Sequence, residues 1–336
     1  MTTSPSGTQS VRLGALSPEH IDACVTLWNA CRAGCPPVHY VPMTPDGFTA
    51  LFLRDAPDRV VINLVALRDR EVIGFASGTV RSGGEQGYVT VVMVREGDRR
   101  CGVGTQLLAE LEARLTACGQ PIDRYEVMFF NPVNIPWIVP GTEGHDHPNA
   151  PGVDVSCDGY LFLKNRGYRD IAYQNSYYLP LPDYRYPADI ESSIAALARD
   201  GIRIVRYDPH RHSGLSELFD DLGNEEWRRI IEANFAPDGP SDPVLIVEDG
   251  DRACGFTGPT RVQPSGRGYF AGIGVHSDYR GRGAGTTLFA ALCMELKQIG
   301  ASFMTLFTGE TNPARNIYQA AGFRIVRTWA DMRKVL

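Results

Sequence analysis

The sequence has no run of roughly 18 consecutive apolar residues, so no membrane-spanning helix is expected. It has no excess of positive charge: 33 Lys and Arg face 39 Asp and Glu, a formal net charge of −6. That balance lacks the basic footprint of a nucleic-acid partner. Cysteines are present (Cys24, Cys31, Cys35, Cys101, Cys118, Cys157, Cys254 and Cys293), but no two form a C-x-x-C pair. Reduced, buried thiols in a soluble cytoplasmic protein are the expectation. Met1 to Ser10 has neither a basic start nor an apolar stretch, and reads as a frayed tail rather than a signal peptide. Two nucleotide-binding signatures are missing as well. There is no G-x-G-x-x-G after the first strand of a βαβ unit, and no G-K-[ST]. What remains is 336 residues, 43% of them hydrophobic, enough to fill two ordinary cores.

The chain repeats itself. Val91-Val92-Met93-Val94 is followed by Arg95 to Asp98 and then Arg99-Arg100-Cys101-Gly102-Val103-Gly104-Thr105. Gly272-Ile273-Gly274-Val275 is followed by His276 to Tyr279 and then Arg280-Gly281-Arg282-Gly283-Ala284-Gly285-Thr286. Both copies read as a strand ending in Val, four residues, R-x-x-G-x-G-T and a helix. Leu107, Leu108, Leu111 and Leu115 recur at helical spacing after the first copy, with Gly119 as a stop. Leu288, Leu292, Leu296 and Gly300 do the same after the second. β-type runs follow at Tyr125–Phe130 and Phe303–Thr308, and a short helix then leads to Gly167-Tyr168 and Gly322-Phe323.

Upstream, strands are expected at 60–67, 71–80 and 87–94 in the first half, and at 243–248, 253–262 and 268–275 in the second. Each half opens on a short strand and a helix: 11–16 then 18–31, and 202–207 then a helix within 209–234. Proline density in 179–187 argues for a linker. The expected domains are therefore 11–178 and 201–336, joined by a linker over 179–200. The fold class is α/β (α+β).

A strand, a glycine-rich turn and a helix together bind phosphate. Glycines let the backbone approach an anion, and the amides of the first helical turn, aided by the helix dipole, point at it. Here the loop follows a fourth strand, after hairpin-type strands. In that setting Val275-His276-Ser277-Asp278-Tyr279-Arg280 with its glycines resembles the pyrophosphate loop of the GNAT superfamily. Asn312-Pro313-Ala314-Arg315-Asn316-Ile317-Tyr318-Gln319-Ala320-Ala321-Gly322-Phe323 resembles that superfamily's last CoA-binding helix. The resemblance covers essentially the whole chain as two domains. It implies, for each, a mixed and mostly antiparallel sheet flanked by helices and splayed between its fourth and fifth strands. It further implies acyl-CoA in that V-shaped gap. The backbone of Ile273, Gly274 and Val275 would then meet the pantetheine arm, the amides and side chains of 280–286 the pyrophosphate, and Asn312 and Asn316 the cofactor's flank. Tyr318 would act as general acid on the departing thiolate. Val92, Met93 and Val94, with 99–105, hold the matching cofactor positions in the first half. For the base, Glu225, Glu226 and Glu310 are loose candidates.

The halves are unequal. Counting back four residues from the closing glycine, Tyr318 is matched by Leu163; counting back six, Asn316 is matched by Leu161. Leucine neither donates a proton nor anchors an amide, and Tyr160 is the nearest alternative acid. The first half also carries an insertion within 131–158, because 65 positions separate Gly102 from Gly167 against 39 from Gly283 to Gly322. It contains His145-Asp146-His147, read as an ordered loop rather than a metal site.

The leading expectation is an acyl-CoA-dependent N-acyltransferase acting on a small-molecule amine. The second half would catalyse, and the first would hold CoA in a structural or regulatory role. A non-catalytic acyl-CoA-binding module and a mycothiol-synthase-like transferase are the alternatives. The chain also resembles tandem GNAT proteins of antibiotic clusters, including the one associated with clavulanic acid biosynthesis. Trp28, His39, Tyr40, Trp227 and Phe235 either line an acceptor pocket or belong to the core. Nothing fixes the oligomeric state; a monomer suffices if the tandem domains pack on each other.

Overall fold

The computed structural model describes residues 10–33, 40–128, 131–139 and 150–336. In chain order the first repeat runs β1 (Arg12–Ala15), α1 (Ile21–Arg32), α2 (Pro45–Phe52), β2 (Arg59–Arg68), β3 (Glu71–Arg81), β4 (Gln86–Val94), α3 (Val103–Thr116), β5 (Arg124–Val127), β6 (Val153–Asp154), α4 (Asp158–Lys164) and β7 (Arg169–Pro180). The second runs α5 (Ala188–Arg199), β8 (Ile202–Arg206), α6 (Leu215–Leu222), α7 (Glu225–Asn234), β9 (Leu245–Asp249), β10 (Arg252–Val262), β11 (Gly268–Val275), α8 (Ala284–Gln298), β12 (Phe303–Gly309), α9 (Ala314–Ala320) and β13 (Arg324–Val335). Among the described residues no helix is long and apolar enough to cross a membrane.

The repeat is a repeat of structure. Glu71 and Arg252 open one pair of strands, Val94 and Val275 end the next pair, and Val103 and Ala284 open the helices that follow. Each position of the first half thus recurs 181 residues later over this stretch.

The chain folds into two compact units, Met1–Gln174 with Thr328–Leu336, and Asn175–Arg327. In the first, β1 to β4 form an antiparallel ladder, β5 joins β4 in parallel, and β13 joins β5 antiparallel. The helix α3 buries Leu107, Leu108, Leu111 and Leu115 against Ile73, Ala76, Val80 and Val89 on one face of this sheet. On the other face Trp28, Phe48 and Phe52 pack on Val65 and Phe75. Covered on both sides, β3 is buried from Ile73 to Val80. The second unit repeats the plan with β8 to β11 antiparallel. There α8 buries Leu288 against Val247 and Cys254. Leu218, Phe219 and Ile231 from α6 and α7 pack on Ile246 and Phe256.

Several boundaries differ from the expected ones. Of the linker expected over 179–200, only 181–187 lacks regular structure; the rest is mainly strand and helix. Leu179 and Pro180 end β7, and α5 buries Ile190 and Leu197 in the second unit. The prolines stop at Pro187, which caps α5, and the apolar residues beyond it already follow helical spacing. The helix expected within 209–234 is two helices. Gly223 takes φ 62 at the end of α6, and Asn224 caps α7 by accepting from the Trp227 amide at 3.0 Å. The last nine residues do not stay with 201–327: β13 passes from the second unit into the first. Correspondingly, β7 starts in the first unit and ends in the second. Among the described cysteines, Cys24, Cys254 and Cys293 are buried, whereas Cys101 is exposed.

Side chains of β13 fasten it to the first unit. Arg333 places Nε 2.7 Å and Nη2 2.6 Å from Oε1 of buried Glu126 on β5. Lys334 Nζ lies 2.6 Å from Oε2 of Glu112 on α3, whose Oε1 accepts from the Tyr168 hydroxyl at 2.9 Å. Removing one partner of a buried charge pair leaves the other desolvated, at a cost of about 3–5 kcal/mol when nothing else compensates. Arg124 Nε remains 3.2 Å from Glu126. Arg333→Met should therefore cost the first unit about 2 kcal/mol, read by denaturant unfolding. The pair Arg333→Met with Glu126→Leu should recover most of that loss. An unchanged midpoint for the single variant would rule out this role.

Candidate active site

The two glycine loops are built alike. After the strand-ending Val, a single 3-10 turn (Glu96–Asp98 or Ser277–Tyr279) leads to an arginine in extended conformation, with ψ 159° at Arg99 and 157° at Arg280. Each arginine folds back so that Nε donates to the carbonyl of that Val: Arg99 to Val94 at 3.2 Å, Arg280 to Val275 at 3.0 Å. Gly102 (φ 84°) and Gly283 (φ 81°) then take the left-handed conformation at the helix N-cap, with no side chain capping the turn. An L side chain is strained there. The first-turn amides of α3 and α8 have no acceptor within their helices, and the helix dipole adds partial positive charge at the same place. Gly281, also left-handed at φ 76°, precedes Arg282 and Gly283 in the second loop. These features fit a pyrophosphate. The Nε atoms of Arg99 and Arg280, two residues expected to contact the cofactor, brace the loop on its strand, while both residues stay exposed.

Different side chains hold the turn in each half. In the first, burial pushes the Asp98 carboxyl up, but Arg95 at 2.5 Å and the adjacent Arg68 hold it below the usual range. In the second, Tyr279 at the Asp98 position donates to Asp249 at 2.7 Å, and Asp249 stands at the Arg68 position. From α6, Asp221 accepts from the Ser277 amide at 2.8 Å and its hydroxyl at 2.6 Å. These bonds, with the nearby His276 and Arg280, hold the Asp221 carboxyl below the usual range.

Beside each loop the sheet opens. The parallel pairing of β4 with β5 covers only Gln86↔Arg124 to Tyr88↔Glu126. In the second unit, an isolated parallel bridge pairs Arg267, just before β11, with Phe303 of β12. Val92, Met93 and Val94 pair with Ala76, Phe75 and Gly74 on their other edge. Ile273, Gly274 and Val275 likewise pair with Thr257, Phe256 and Gly255. The splay between fourth and fifth strands is therefore present in both units.

The last helices settle the register between the halves. The Phe323 amide donates to Tyr318 O at 3.1 Å, and the Tyr168 amide to Leu163 O at 3.2 Å. Gly322 and Gly167 take φ 94° and 92° at the same corner. A Cβ on Gly285 would meet Val275 and Ile317; on Gly104 it would meet Val94 and Phe162. Leu163 therefore stands where Tyr318 stands, and Leu161, 60% exposed, stands where exposed Asn316 does. Tyr318 is half-buried, with ring centroids 5.0 Å from Phe289 and 5.7 Å from Tyr177. Burial, and then Tyr177, raise its pKa, so the phenol stays protonated through the neutral range. Asn312, expected at the cofactor's flank, is exposed, and its Oδ1 accepts from the Ala314 amide at 3.0 Å at the start of α9. Glu225 pairs with Arg228 at 3.3 Å on the surface, and Glu226 and Glu310 are exposed.

Three residues escaped the sequence reading. Arg166 donates to Thr105 Oγ1 at 2.7 Å, placing a cation at the first turn of α3. Its only sequence signal is a basic residue beside the closing glycine. Tyr177 packs on Tyr318 from β7, 141 positions earlier in the chain (177 to 318), with no local sign. Gly272 leaves room for the Trp227 indole, whose Nε1 lies 2.5 Å from where a Cβ would stand. Trp28, buried against Tyr40 and Phe52, belongs to the core, and Phe235 packs on Tyr207. Among the described residues no group of three His, Cys, Asp or Glu is arranged to hold a metal. His39, Phe129, Phe130 and the His145-Asp146-His147 loop lie outside the described residues.

Comparison with known proteins gives the family. The model of the acetyltransferase (GNAT) family matches twice, over residues 23–128 and 209–323. No curated protein sequence matches. Among solved structures, one is a fungal multi-domain GH3 β-N-acetylglucosaminidase with a GCN5-related glucosamine N-acetyltransferase region. It is similar over 97% of this chain, with TM-score 0.61 and 16% identity, and this chain spans 38% of that protein. A GCN5-related N-acetyltransferase from Sphaerobacter thermophilus is similar over 97% of this chain and 95% of its own (TM-score 0.56, 16% identity). The tandem GNAT protein from the clavulanic acid biosynthesis pathway is similar over 97% and 98% (TM-score 0.54, 14% identity). These likenesses are of fold. With two family matches, two splayed sheets and two uncapped glycine loops, the chain belongs to the acetyltransferase (GNAT) family and carries its domain twice.

Proposed function

We propose that the chain is an acyl-CoA-dependent N-acyltransferase of small-molecule amines. In this reading the second half catalyses and the first holds CoA without turning it over. The observation that carries it is the register of α4 against α9, which sets Leu163 opposite Tyr318. Both halves keep the left-handed N-cap and the free first-turn amides that fit a pyrophosphate. Only the second keeps a phenol at that position of the helix; on α4 the Tyr160 hydroxyl instead donates to Asp170 at 2.9 Å.

Bound acyl-CoA supplies the thioester carbonyl. The protein supplies placement and protons. Amides of the α8 first turn, with Gly281 to Gly283, bind the anionic end. The β11 edge at Ile273–Val275 faces the gap and offers backbone amides to charge developing on a carbonyl oxygen. Tyr318, kept protonated by burial, donates from its hydroxyl to the departing sulfur. Trp227 and Leu222, pressed on Gly272 and Gly274, shape the side of β11 from which an amine arrives.

Three outcomes test this. Tyr318→Phe should lower kcat about 10²–10⁴-fold with little change in KM for acyl-CoA; undiminished turnover would remove Tyr318 from the mechanism. Because its pKa is raised, the acid form persists past the ordinary tyrosine value of about 10. The acid's loss should therefore appear in the kcat profile only above about pH 10. A decline set by Tyr318 at neutral pH would contradict the burial. Gly285→Glu should abolish turnover, whereas Gly104→Glu should preserve it and reduce bound CoA from two equivalents to one by native mass spectrometry. The reverse pattern would exchange the roles of the halves.

A further inference from the structure

The two anion sites differ by one cation. In the first half Arg166 follows α4 and precedes the corner glycine Gly167, and its Nη2 donates to Thr105 Oγ1 at 2.7 Å. Thr105 belongs to the first turn of α3, whose amides have no acceptor within the helix. The guanidinium lies 5.7 Å from the centre of the Phe162 ring. That ring in turn sits against Gly104, where a Cβ would meet it at 3.6 Å. A ring beneath it and a hydroxyl beside it hold a flexible side chain at the start of α3.

The group so placed is a set of donors with no anion. Among the described residues no carboxylate pairs with Arg166, whereas Arg95, Arg124 and Arg333 of the same unit each face one. Thr105 accepts from Arg166 through its oxygen, so its own proton points elsewhere, and no described residue accepts it. A guanidinium and a hydroxyl proton therefore stand beside the free amides of the turn.

The second half has the same turn without this cation. With Gly167 at the Gly322 corner and Gly104 at the Gly285 position, Thr105 is matched by Thr286, Phe162 by Ile317 and Arg166 by Ala321. Ala321 is fully buried, and among the described residues no side chain bonds to Thr286. On α9, Arg315 donates to Glu310 O at 2.8 Å. Each loop has two arginines of its own, Arg99 and Arg100 or Arg280 and Arg282, so Arg166 is an addition and not a replacement.

We infer that Arg166 and Thr105 form a phosphate-binding pair that the second half lacks. The pair takes the diphosphate of CoA, because Thr105 lies in the turn whose amides face that group, and it makes the first half the slower of the two to release the cofactor. This rests on the proposal that the first half holds CoA. The fork of the guanidinium can keep its bond to Thr105 while its other N–H groups reach a phosphate oxygen. The short segment that has leucine in place of the acid, at Leu163, thus carries the clamp three residues later.

The test uses the full chain carrying Gly285→Glu, which leaves the first half as the remaining CoA site. A Cβ at Gly285 makes only ordinary contacts, 3.7 Å to Val275 and 3.9 Å to Ile317. Titration calorimetry and a displacement chase with CoA and dephospho-CoA read the site. CoA should bind at one equivalent and leave about tenfold more slowly than from the chain carrying Gly104→Glu, which reads the second half. Adding Arg166→Met should weaken CoA about tenfold and speed its release to match, the loss of one charge-assisted bond. Dephospho-CoA should lose the same factor, since it keeps the diphosphate and lacks only the 3′-phosphate. Arg166→Lys should recover part of the loss. Thr105→Val should weaken CoA about threefold alone and add little beside Arg166→Met, because the arginine orients the hydroxyl. Unchanged affinity and release in Arg166→Met, or equal release from the two halves, overturns the clamp while one bound equivalent leaves the first-half site standing. A loss confined to CoA and absent with dephospho-CoA overturns the assignment to the diphosphate. Failure of the Gly285→Glu chain to bind CoA at all overturns the first-half site and the clamp together.

Discussion

A helix that begins without a cap is the constraint on which both halves are organised. Four amides at the start of any α-helix lack internal acceptors, and a side chain usually satisfies one of them. Here a left-handed glycine occupies that position twice, at Gly102 and Gly283. The amides left free by the missing cap are donors that suit an anion. The neighbouring structure exists to hold it still. An arginine Nε ties each loop to its strand, and buried or bridged carboxylates tie the turn before it. A loop that rested on phosphate contacts alone would have to be ordered again at every binding event, at an entropic cost.

The halves diverged on the other side of the gap. Leu163, which stands at the phenol's position, is buried in the core of the first unit. The insertion then adds apolar cover through Val133, Ile135 and Trp137. Both changes favour a better-filled first unit over an accessible one. The second half keeps its glycines where bulk presses on β11: Trp227 against Gly272, Leu222 against Gly274. Its aromatic wall at Tyr318 includes Tyr177, a residue of the first repeat. The helix that carries the phenol therefore depends on a strand encoded before the second half begins.

That dependence follows from the last strands. Both β7 and β13 have twelve residues, each starts in one unit and ends in the other, and β13 is held in the first by Glu126 and Glu112. Neither repeat, excised at the proline-rich segment, would contain all of its own sheet. Buried carboxylates make this pairing specific, since a displaced Arg333 or Lys334 would leave a desolvated charge behind.

By itself the sequence determined whatever depends on neighbours in the chain. The glycine loops, the helices whose leucines recur at 3.6-residue spacing, the hairpin strands and the mismatch of Leu163 with Tyr318 were all legible, because loop geometry and periodicity are local. It also determined that an insertion exists and where. Tertiary structure alone decided where that insertion rests, and that α5 is core rather than linker. It set Arg99 and Arg280 against strand carbonyls and Asn312 against the Ala314 amide, bonds that residue type alone does not reveal. It also sent the last nine residues to the first unit. Strand pairing is chosen by partners hundreds of residues apart, and an arginine's hydrogen bond by whichever carbonyl the fold brings near. Neither leaves a periodic trace in the sequence that encodes it.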